Sequence, residues 1–460
     1  MDRHLEFLLF RMGGHMKKAC YFGTIFSLCL ICLMGCGKTK QADRIKEKEG
    51  DVQKEDQVVL SLFYSSDDVK WVSTLEGICE DFMREFPNIT LEMKHSEAGI
   101  YTEELKIKEA TDEFPDIYEV ENPYSFYEAG KLGVIPKEIG DLVEEPLSIQ
   151  GEVYAVPSYT TTHGIIYNQV IFKQYGLEVP RNYGEFLEVC ETLSDNHVVP
   201  LAIGGSKSES ISYWLNYFFQ SDVIAPNPYW QQERNNGEVS FQDEDAIKML
   251  RDYHSLMTSN YILENSINMN DNHIVSQMIE GNIAMVYTGS GMISQIVDAY
   301  PDATLSDKDS EGESLEIDPV KCRVGWFFMP DNEGEVVALR EVKAAWGISK
   351  ECSEDKEKRE AVIQFFQYFY RKSVYQDILQ AVFGVHTTKD AVIYASPGVH
   401  QGLLVDYRYA QKSSIYLGND QTPEGFSQDM YEILNALATD VISVETAAQK
   451  LDESWDEYKE

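Results

Sequence analysis

The chain has 460 residues, of which 43% are hydrophobic, and its 39 Lys and Arg against 77 Asp and Glu give a formal charge of −38. This length supplies core for two or three domains. So acidic a surface argues against nucleic acid and anionic membrane surfaces as partners, and it suits a soluble protein outside the cytoplasm.

The N-terminal residues have the pattern of a secretory signal. Lys17 precedes an apolar run over residues 19–34, which ends in Gly35-Cys36. The run is shorter than the ~20 residues of a spanning helix, which argues against a membrane anchor. A small residue directly before Cys36 resembles a lipobox, where the signal is cleaved and the cysteine is lipidated.

Residues 1–35 are therefore predicted to be a signal peptide, with Met16 as an alternative start because Gly13-Gly14 precede it. Residues 36–57 are rich in Lys, Glu, Asp and Gln and almost free of apolar side chains. Such a composition cannot bury a core, so this segment is predicted to be a disordered tether anchored by lipid on Cys36.

The remaining chain alternates between strand and helix patterns. A strand, a helix and a second strand between residues 58 and 93 predict a parallel pair with a right-handed crossover. The predicted strands are 58–64, 89–93, 153–156, 164–167 and 198–203. The predicted helices are 69–86, 102–110, 169–175, a helix from 183, 212–220, 243–257, 354–369 and 426–458. The acidic residues 302–318 are predicted to be an exposed loop.

Residues 153–186 contain the most informative pattern in the chain. Two short strands are predicted on either side of Pro157 and the polar residues 160–163. Asn168 is predicted to cap a helix that Gly176 ends in a left-handed conformation, and Asn182 to cap the next helix.

This segment resembles the sugar-binding extracellular solute-binding proteins of ABC importers, family 1. The residues that carry the resemblance are Val156-Pro157, Gly164, Tyr167-Asn168, Phe172, Gly176-Leu177, Pro180, Asn182-Tyr183 and Glu185-Phe186. Residues 274–291 and 324–350 match further motifs of the family. Gly291 departs from the pattern, since the family usually has a sugar-stacking aromatic residue there.

The resemblance implies an α/β, two-lobed periplasmic-binding-protein-like fold (type II), with a cleft between lobes joined by a hinge of several chain crossings. Lobe 1 is expected to comprise residues 58–160 and 343–395, and lobe 2 residues 161–342 and 396–460. The implied function is capture of a mono- or oligosaccharide for an ABC permease. We expect a monomer with no cofactor, no metal and no enzymatic activity.

A carbohydrate site combines aromatic platforms with polar groups that bind hydroxyls. In open α/β sheets such sites lie at the carboxyl ends of strands. The candidate ligand-binding residues are Tyr64, Asp67, Asp68, Trp71, Asn122, Tyr124, Thr161, His163, Tyr213, Trp214 and Trp346. Trp346 is favoured because its small neighbours Ala345 and Gly347 should leave one face open.

Each candidate has a structural alternative. Trp71 and Trp214 could anchor the cores of their helices, and Trp346 could pack in the hinge. Asn122 could shape the turn before Pro123, and His163 could be a satisfied loop residue.

The sequence shows no catalytic motif: the nine histidines form no H-E-x-x-H pattern, and no serine has the spacing of a nucleophile elbow. A surface glycoside hydrolase stays open as an alternative, because 77 carboxylates cannot be paired by inspection. Two further alternatives are the same fold binding a peptide, polyamine or anion, and a sensory or scaffolding lipoprotein. The cysteines beyond the signal are scattered without paired metal spacing and are predicted to be isolated thiols: Cys79, Cys190, Cys322 and Cys352.

Overall fold

The computed structural model describes residues 57–66, 68–97, 100–120, 123–203, 208–304, 322–419, 421–423 and 425–459. The predicted signal peptide, the tether and Cys36 lie outside these residues, as does most of the predicted acidic loop. The described strands are β1 (Val58–Ser65), β2 (Ile89–Ser96), β3 (Ile117–Val120), β4 (Leu147–Ile149), β5 (Glu152–Asn168), β6 (Val199–Ala202), β7 (Ile283–Gly289), β8 (Val324–Phe327), β9 (Val337–Ile348) and β10 (Gln411–Ser413).

The α-helices lie between and after these strands, singly or in runs. They are α1 (Val69–Glu85), α2 (Tyr101–Ala110), α3 (Pro123–Glu128), α4 (Lys137–Gly140), α5 (Gln169–Tyr175), α6 (Tyr183–Asp195), α7 (Ser212–Phe218), α8 (Trp230–Asn236), α9 (Glu244–Met257), α10 (Asp271–Ile279), α11 (Met292–Ala299), α12 (Lys350–Glu354), α13 (Lys356–Phe369), α14 (Lys372–Val382), α15 (Gly398–Tyr409), α16 (Phe426–Ala438) and α17 (Val444–Lys459).

The first β-α-β unit forms as its pattern predicts. Asp68 caps α1 by accepting hydrogen bonds from the backbone N–H groups of Lys70 and Trp71. Leu75, Ile78 and Phe82 form a buried stripe at helical spacing. β1 and β2 pair in parallel over eight residues, so the predicted parallel pair is confirmed.

The long strand β5 lies between β9 and β7 in the sheet order β2-β1-β3-β9-β5-β7-β6. It pairs antiparallel with β9 from Ala155 to Thr162. From His163 onward it pairs with β7 instead, and from Ile165 with β8. One strand therefore belongs to two groups of partners, and it passes from one to the other at residues 162–163.

The prediction of two separate strands in this region is wrong, because β5 is continuous from Glu152 to Asn168. Pro157 lies within this strand, and its carbonyl oxygen accepts from Tyr370 Oη at 2.8 Å and Thr387 Oγ1 at 3.0 Å. The polar residues 160–163 are buried, and they continue the strand rather than break it.

The two predicted caps after β5 are confirmed. Asn168 Oδ1 accepts from the N–H groups at the start of α5, and Gly176 ends that helix with φ of 65°. Asn182 caps α6 by accepting from the N–H of Glu185, and Phe186 is among the residues that α6 buries.

The C-terminal helices α16 and α17 pack beside α9 and bury Met430, Leu434 and Trp455 in a core with residues of α6 and α7. The four cysteines beyond the signal are buried and free. None of the helices in the described part of the chain combines the length and apolar character that crossing a bilayer requires.

Candidate functional site

A cluster of polar side chains lies where β5 and β9 pair, just before β5 changes partners. Thr161 and Glu341 face each other across the two strands. Thr161 Oγ1 donates a hydrogen bond to Glu341 Oε2 at 3.3 Å, and Lys343 Nζ donates to Glu341 Oε1 at 2.5 Å. Register neighbours and i, i+2 positions share one face of a sheet, which is why these side chains meet.

His163 extends this cluster toward the other part of the sheet. Its Nε2 lies 3.5 Å from Glu341 Oε2, and its Nδ1 is buried without a hydrogen-bond partner among the described residues. Its ring packs on Tyr213 of α7, with 4.3 Å between ring centroids. The hydroxyl of Tyr213 in turn donates to Glu209 Oε1 at 3.4 Å. The cluster thus joins the central strands to the helical turn before α7.

The charges of the cluster are coupled. Burial by itself would raise the pKa of the Glu341 carboxyl, but the ammonium of Lys343 and the hydrogen bond with His163 hold that pKa well below its ordinary value. Burial would lower the pKa of Lys343, but the Glu341 carboxylate keeps it above the ordinary lysine value. Glu341 and Lys343 are therefore both ionised at neutral pH.

Three tyrosines surround this ion pair. Burial, followed by the carboxylates of Glu209 and Glu341, raises the pKa of Tyr213 well above its ordinary value and that of Tyr431 to about 12. Burial and nearby carboxylates also raise the pKa of Tyr159. All three hydroxyls are neutral at physiological pH; those of Tyr159 and Tyr431 can donate a hydrogen bond to a ligand, while Tyr213 donates its proton to Glu209.

The structure brings together three of the residues singled out in the sequence, Thr161, His163 and Tyr213. It adds residues that the sequence did not single out: Tyr159, Glu209, Glu341, Lys343 and Tyr431. The sequence did contain a sign of Glu341 and Lys343. They are two residues apart on β9, so both side chains lie on one face, opposite the polar residues of β5.

The tryptophans lie in the core. The expectation that small neighbours leave one face of Trp346 open is wrong: the side chain is 1% exposed, and its ring stacks on Trp71 with centroids 6.2 Å apart. Trp71 is 2% exposed, and Trp214 is 1% exposed and packs on Phe186. Of the two interpretations left open for Trp71 and Trp214, their placement fits the core anchor.

The remaining candidates are divided between the core, a helix cap and the undescribed residues. Tyr64 is buried, with its hydroxyl donating to Glu76 at 3.1 Å. Asp68 is exposed, but its carboxylate is engaged in capping α1. Asp67, Asn122 and the side chain of Tyr124 lie outside the described residues, so their predicted role stays a prediction.

Gly291 lies next to Ser290, whose N–H donates to the carbonyl oxygen of Thr162 at 2.8 Å. A Cβ atom built on Gly291 would meet nothing within 4 Å, and its φ of −60° suits any residue. The position where the family usually has an aromatic residue is therefore open space beside the strand crossing.

This arrangement can bind a polar ring compound. It offers a fixed carboxylate, an ammonium group, an imidazole and tyrosine hydroxyls within one cluster, and aromatic ring faces beside them. Among the described residues, no group of three or more His, Cys, Asp or Glu side chains is placed to hold a metal ion.

A family model described as bacterial extracellular solute-binding protein matches residues 67–375. A curated relative, the multiple sugar-binding protein of Streptococcus mutans serotype c, is 27% identical over 211 residues. The match covers 44% of this chain and 46% of that relative, so it spans about half the length of each.

Several solved structures share the fold. A chitin oligosaccharide binding protein has a TM-score of 0.71 at 20% identity, with 88% of this chain and 99% of that chain covered. The SBP RafE in complex with raffinose has a TM-score of 0.66 at 19% identity, covering 88% and 100%. A sugar transporter from Bacillus licheniformis in complex with stachyose has a TM-score of 0.64 at 17% identity, covering 87% and 99%. These likenesses confirm the predicted two-lobed α/β fold.

Proposed function

This chain belongs to the family of bacterial extracellular solute-binding proteins, and from that premise we propose that it captures a carbohydrate and delivers it to an ABC importer. The observation that carries the proposal is the cluster formed by Thr161, His163, Tyr213, Glu341 and Lys343 at the crossing of the central strands. The family acts outside the cytoplasm, where such capture takes place.

The chemistry of the cluster supports a carbohydrate as the ligand. A sugar hydroxyl both donates and accepts a hydrogen bond, and Glu341 supplies an acceptor beside the donor Lys343. The apolar face of a sugar ring requires a flat partner, which the ring of Tyr213 can provide. Relatives named for multiple sugars, chitin oligosaccharides and raffinose support the same class of ligand.

The lobes that form the cleft are proposed to be residues 58–160 with 343–395, and residues 161–342 with 396–460. The change of partners along β5 supports a crossing close to residue 161. The position of Glu341 and Lys343 on β9 supports a second crossing close to residue 343. Ligand bound at both crossings would favour the closed form of the protein.

The protein is further proposed to be a monomeric lipoprotein that is tethered through Cys36 and docks on permease subunits. It is proposed to bind its ligand without transforming it, as the descriptions of its relatives as binding proteins support. Incubation with an oligosaccharide should therefore release no shorter sugar.

A thermal-shift screen of the purified protein tests the ligand class. A ligand that binds only the folded state at about a hundredfold excess over its Kd stabilises that state by about 2.7 kcal/mol. We expect a rise in melting temperature with one class of mono- or oligosaccharide. A rise with peptides or polyamines and none with any carbohydrate would overturn the proposed ligand while keeping the fold.

A further inference from the structure

A cavity lies on the opposite face of β9 from the candidate carbohydrate site. Its volume is about 480 Å³, within the usual range of sites for small molecules. Arg340 of β9 is one of its lining residues. Because successive residues of a strand point to opposite faces, the side chains of Arg340 and Glu341 lie on different sides of the sheet.

The walls of this cavity are largely apolar and are fixed by hydrogen bonds. Tyr394 donates from its hydroxyl to the carbonyl oxygen of Gly384 at 2.7 Å. Val385 exchanges backbone hydrogen bonds with Thr160 of β5, at 2.8 and 3.1 Å. The cavity is therefore formed by the fold itself, before any ligand binds.

The mouth of the cavity exposes apolar surface. Ile393 and Val405 both line it, and their side chains are 85% and 57% exposed. Exposed apolar side chains next to an apolar cavity are typical of a binding surface, whereas single exposed ones are ordinary.

The charged residues of the lining are mainly cationic, although the protein as a whole carries a charge of −38. Arg340, Arg408 and Lys412 line the cavity together with one carboxylate, Glu144. Arg340 is 4% exposed and paired with Glu145. Lys412 Nζ lies 5.0 Å from the ring centroid of Tyr407. Arg408 is exposed and has no ion pair within the described part of the chain.

We propose that this cavity binds a small anionic amphiphile, a molecule with an apolar chain and one carboxylate. The apolar walls would take the chain, and Arg408 and Lys412 would hold the carboxylate at the mouth. Enclosure favours a small molecule over a protein surface, and the excess of cations favours an anion over a neutral lipid. This proposal does not depend on the identity of the carbohydrate.

Calorimetric titration of the purified protein with sodium octanoate tests the proposal. We expect saturable binding of one equivalent. Hexanoate should bind several-fold more weakly, because each buried methylene strengthens binding by up to about fourfold. Octanol, which has the same number of carbon atoms without the charge, should also bind more weakly, and acetate should not bind.

Variants locate the site. Arg408→Glu should weaken octanoate binding about fivefold, the size expected for an exposed charge. Val405→Asp, at another exposed position of α15, should weaken it as well. Lys450→Glu makes the same charge change on the exposed face of α17 and should leave octanoate binding unchanged. Melting temperatures would show that each variant is folded.

The proposal is overturned if octanoate does not bind, if octanol binds as tightly, or if Arg408→Glu and Val405→Asp bind octanoate like the wild type. Carbohydrate-induced thermal shifts, measured on the same variants, keep the two sites apart. They should be unchanged in Arg408→Glu, so failure of either proposal can be recognised separately.

Discussion

Glu341 is held as a carboxylate by three neighbours at once, Lys343, His163 and Thr161. Because its pKa is lower in the folded protein than in the unfolded chain, it stabilises the fold above the ordinary glutamate pKa of about 4.3. That contribution is lost as the pH falls through the lower folded value. At neutral pH Glu341 is a fixed hydrogen-bond acceptor, which is what a sugar-binding site requires.

His400 gives a separate prediction about pH. It is fully buried, and its Nε2 donates to the carbonyl oxygen of Phe383 at 2.7 Å. Burial lowers its pKa to about 4. As the pH falls below about 6.5, this histidine becomes protonated in the unfolded chain but stays neutral in the folded protein. The free energy of unfolding should therefore fall by about 3 kcal/mol as the pH drops from 6.5 to 4.

Urea unfolding followed at several pH values measures this loss. In His400→Gln the amide can still donate to Phe383 but does not titrate, so the loss between pH 6.5 and 4.5 should shrink. An unchanged pH dependence in that variant would show that other groups cause it.

At the residue scale the sequence predicts the strand positions Thr161 and His163 better than it predicts the burial of the tryptophans. Thr161 and His163 were found because polar residues between two apolar stretches of one segment are unusual. The burial of Trp346 could not be predicted, since it depends on Trp71, which is far away in the chain and stacks on it. Ala345 and Gly347 are small, but the Trp71 ring of α1 occupies the space over the face of Trp346.

At the scale of elements, β5 depends on glycine where β8 packs against it. A Cβ atom on Gly164 would lie 2.4 Å from Cζ2 of Trp326 and 2.9 Å from the carbonyl oxygen of Phe327. Gly164→Ala should therefore destabilise the protein by about 1–3 kcal/mol, the usual effect of overpacking.

Gly291→Ala is the matched control, because its Cβ would enter open space. Chemical denaturation should show a lower midpoint for Gly164→Ala and little change for Gly291→Ala. Equal midpoints for Gly164→Ala and the wild type would mean that β5 and β8 separate more easily than their packing indicates.

Helix boundaries were predictable where a local signal sets them. Asn168 and Asn182 cap α5 and α6 through hydrogen bonds within three residues, so a short window of sequence contains the information. The continuity of β5 was not predictable in this way. It depends on pairing of Thr160, Thr161 and Thr162 with β9, which lies far along the chain.

At the scale of the whole molecule, the segment 153–186 indicated the two-lobed fold that the solved structures confirm. The lobe boundaries stay a prediction. If ligand binds between lobes joined at β5 and β9, carbohydrate should shift the protein toward a closed form. Small-angle X-ray scattering should then show a smaller radius of gyration with saturating carbohydrate, and an unchanged radius would argue against closure.

The most direct test of the account is a calorimetric titration of wild type and Glu341→Gln with the carbohydrate that gives the largest thermal shift. Loss of a hydrogen bond to a charged group should weaken binding by about tenfold or more. Glu351→Gln, at an exposed position of α12, should bind like the wild type. Equal affinity of wild type and a folded Glu341→Gln would contradict the account, because the carbohydrate would then bind elsewhere.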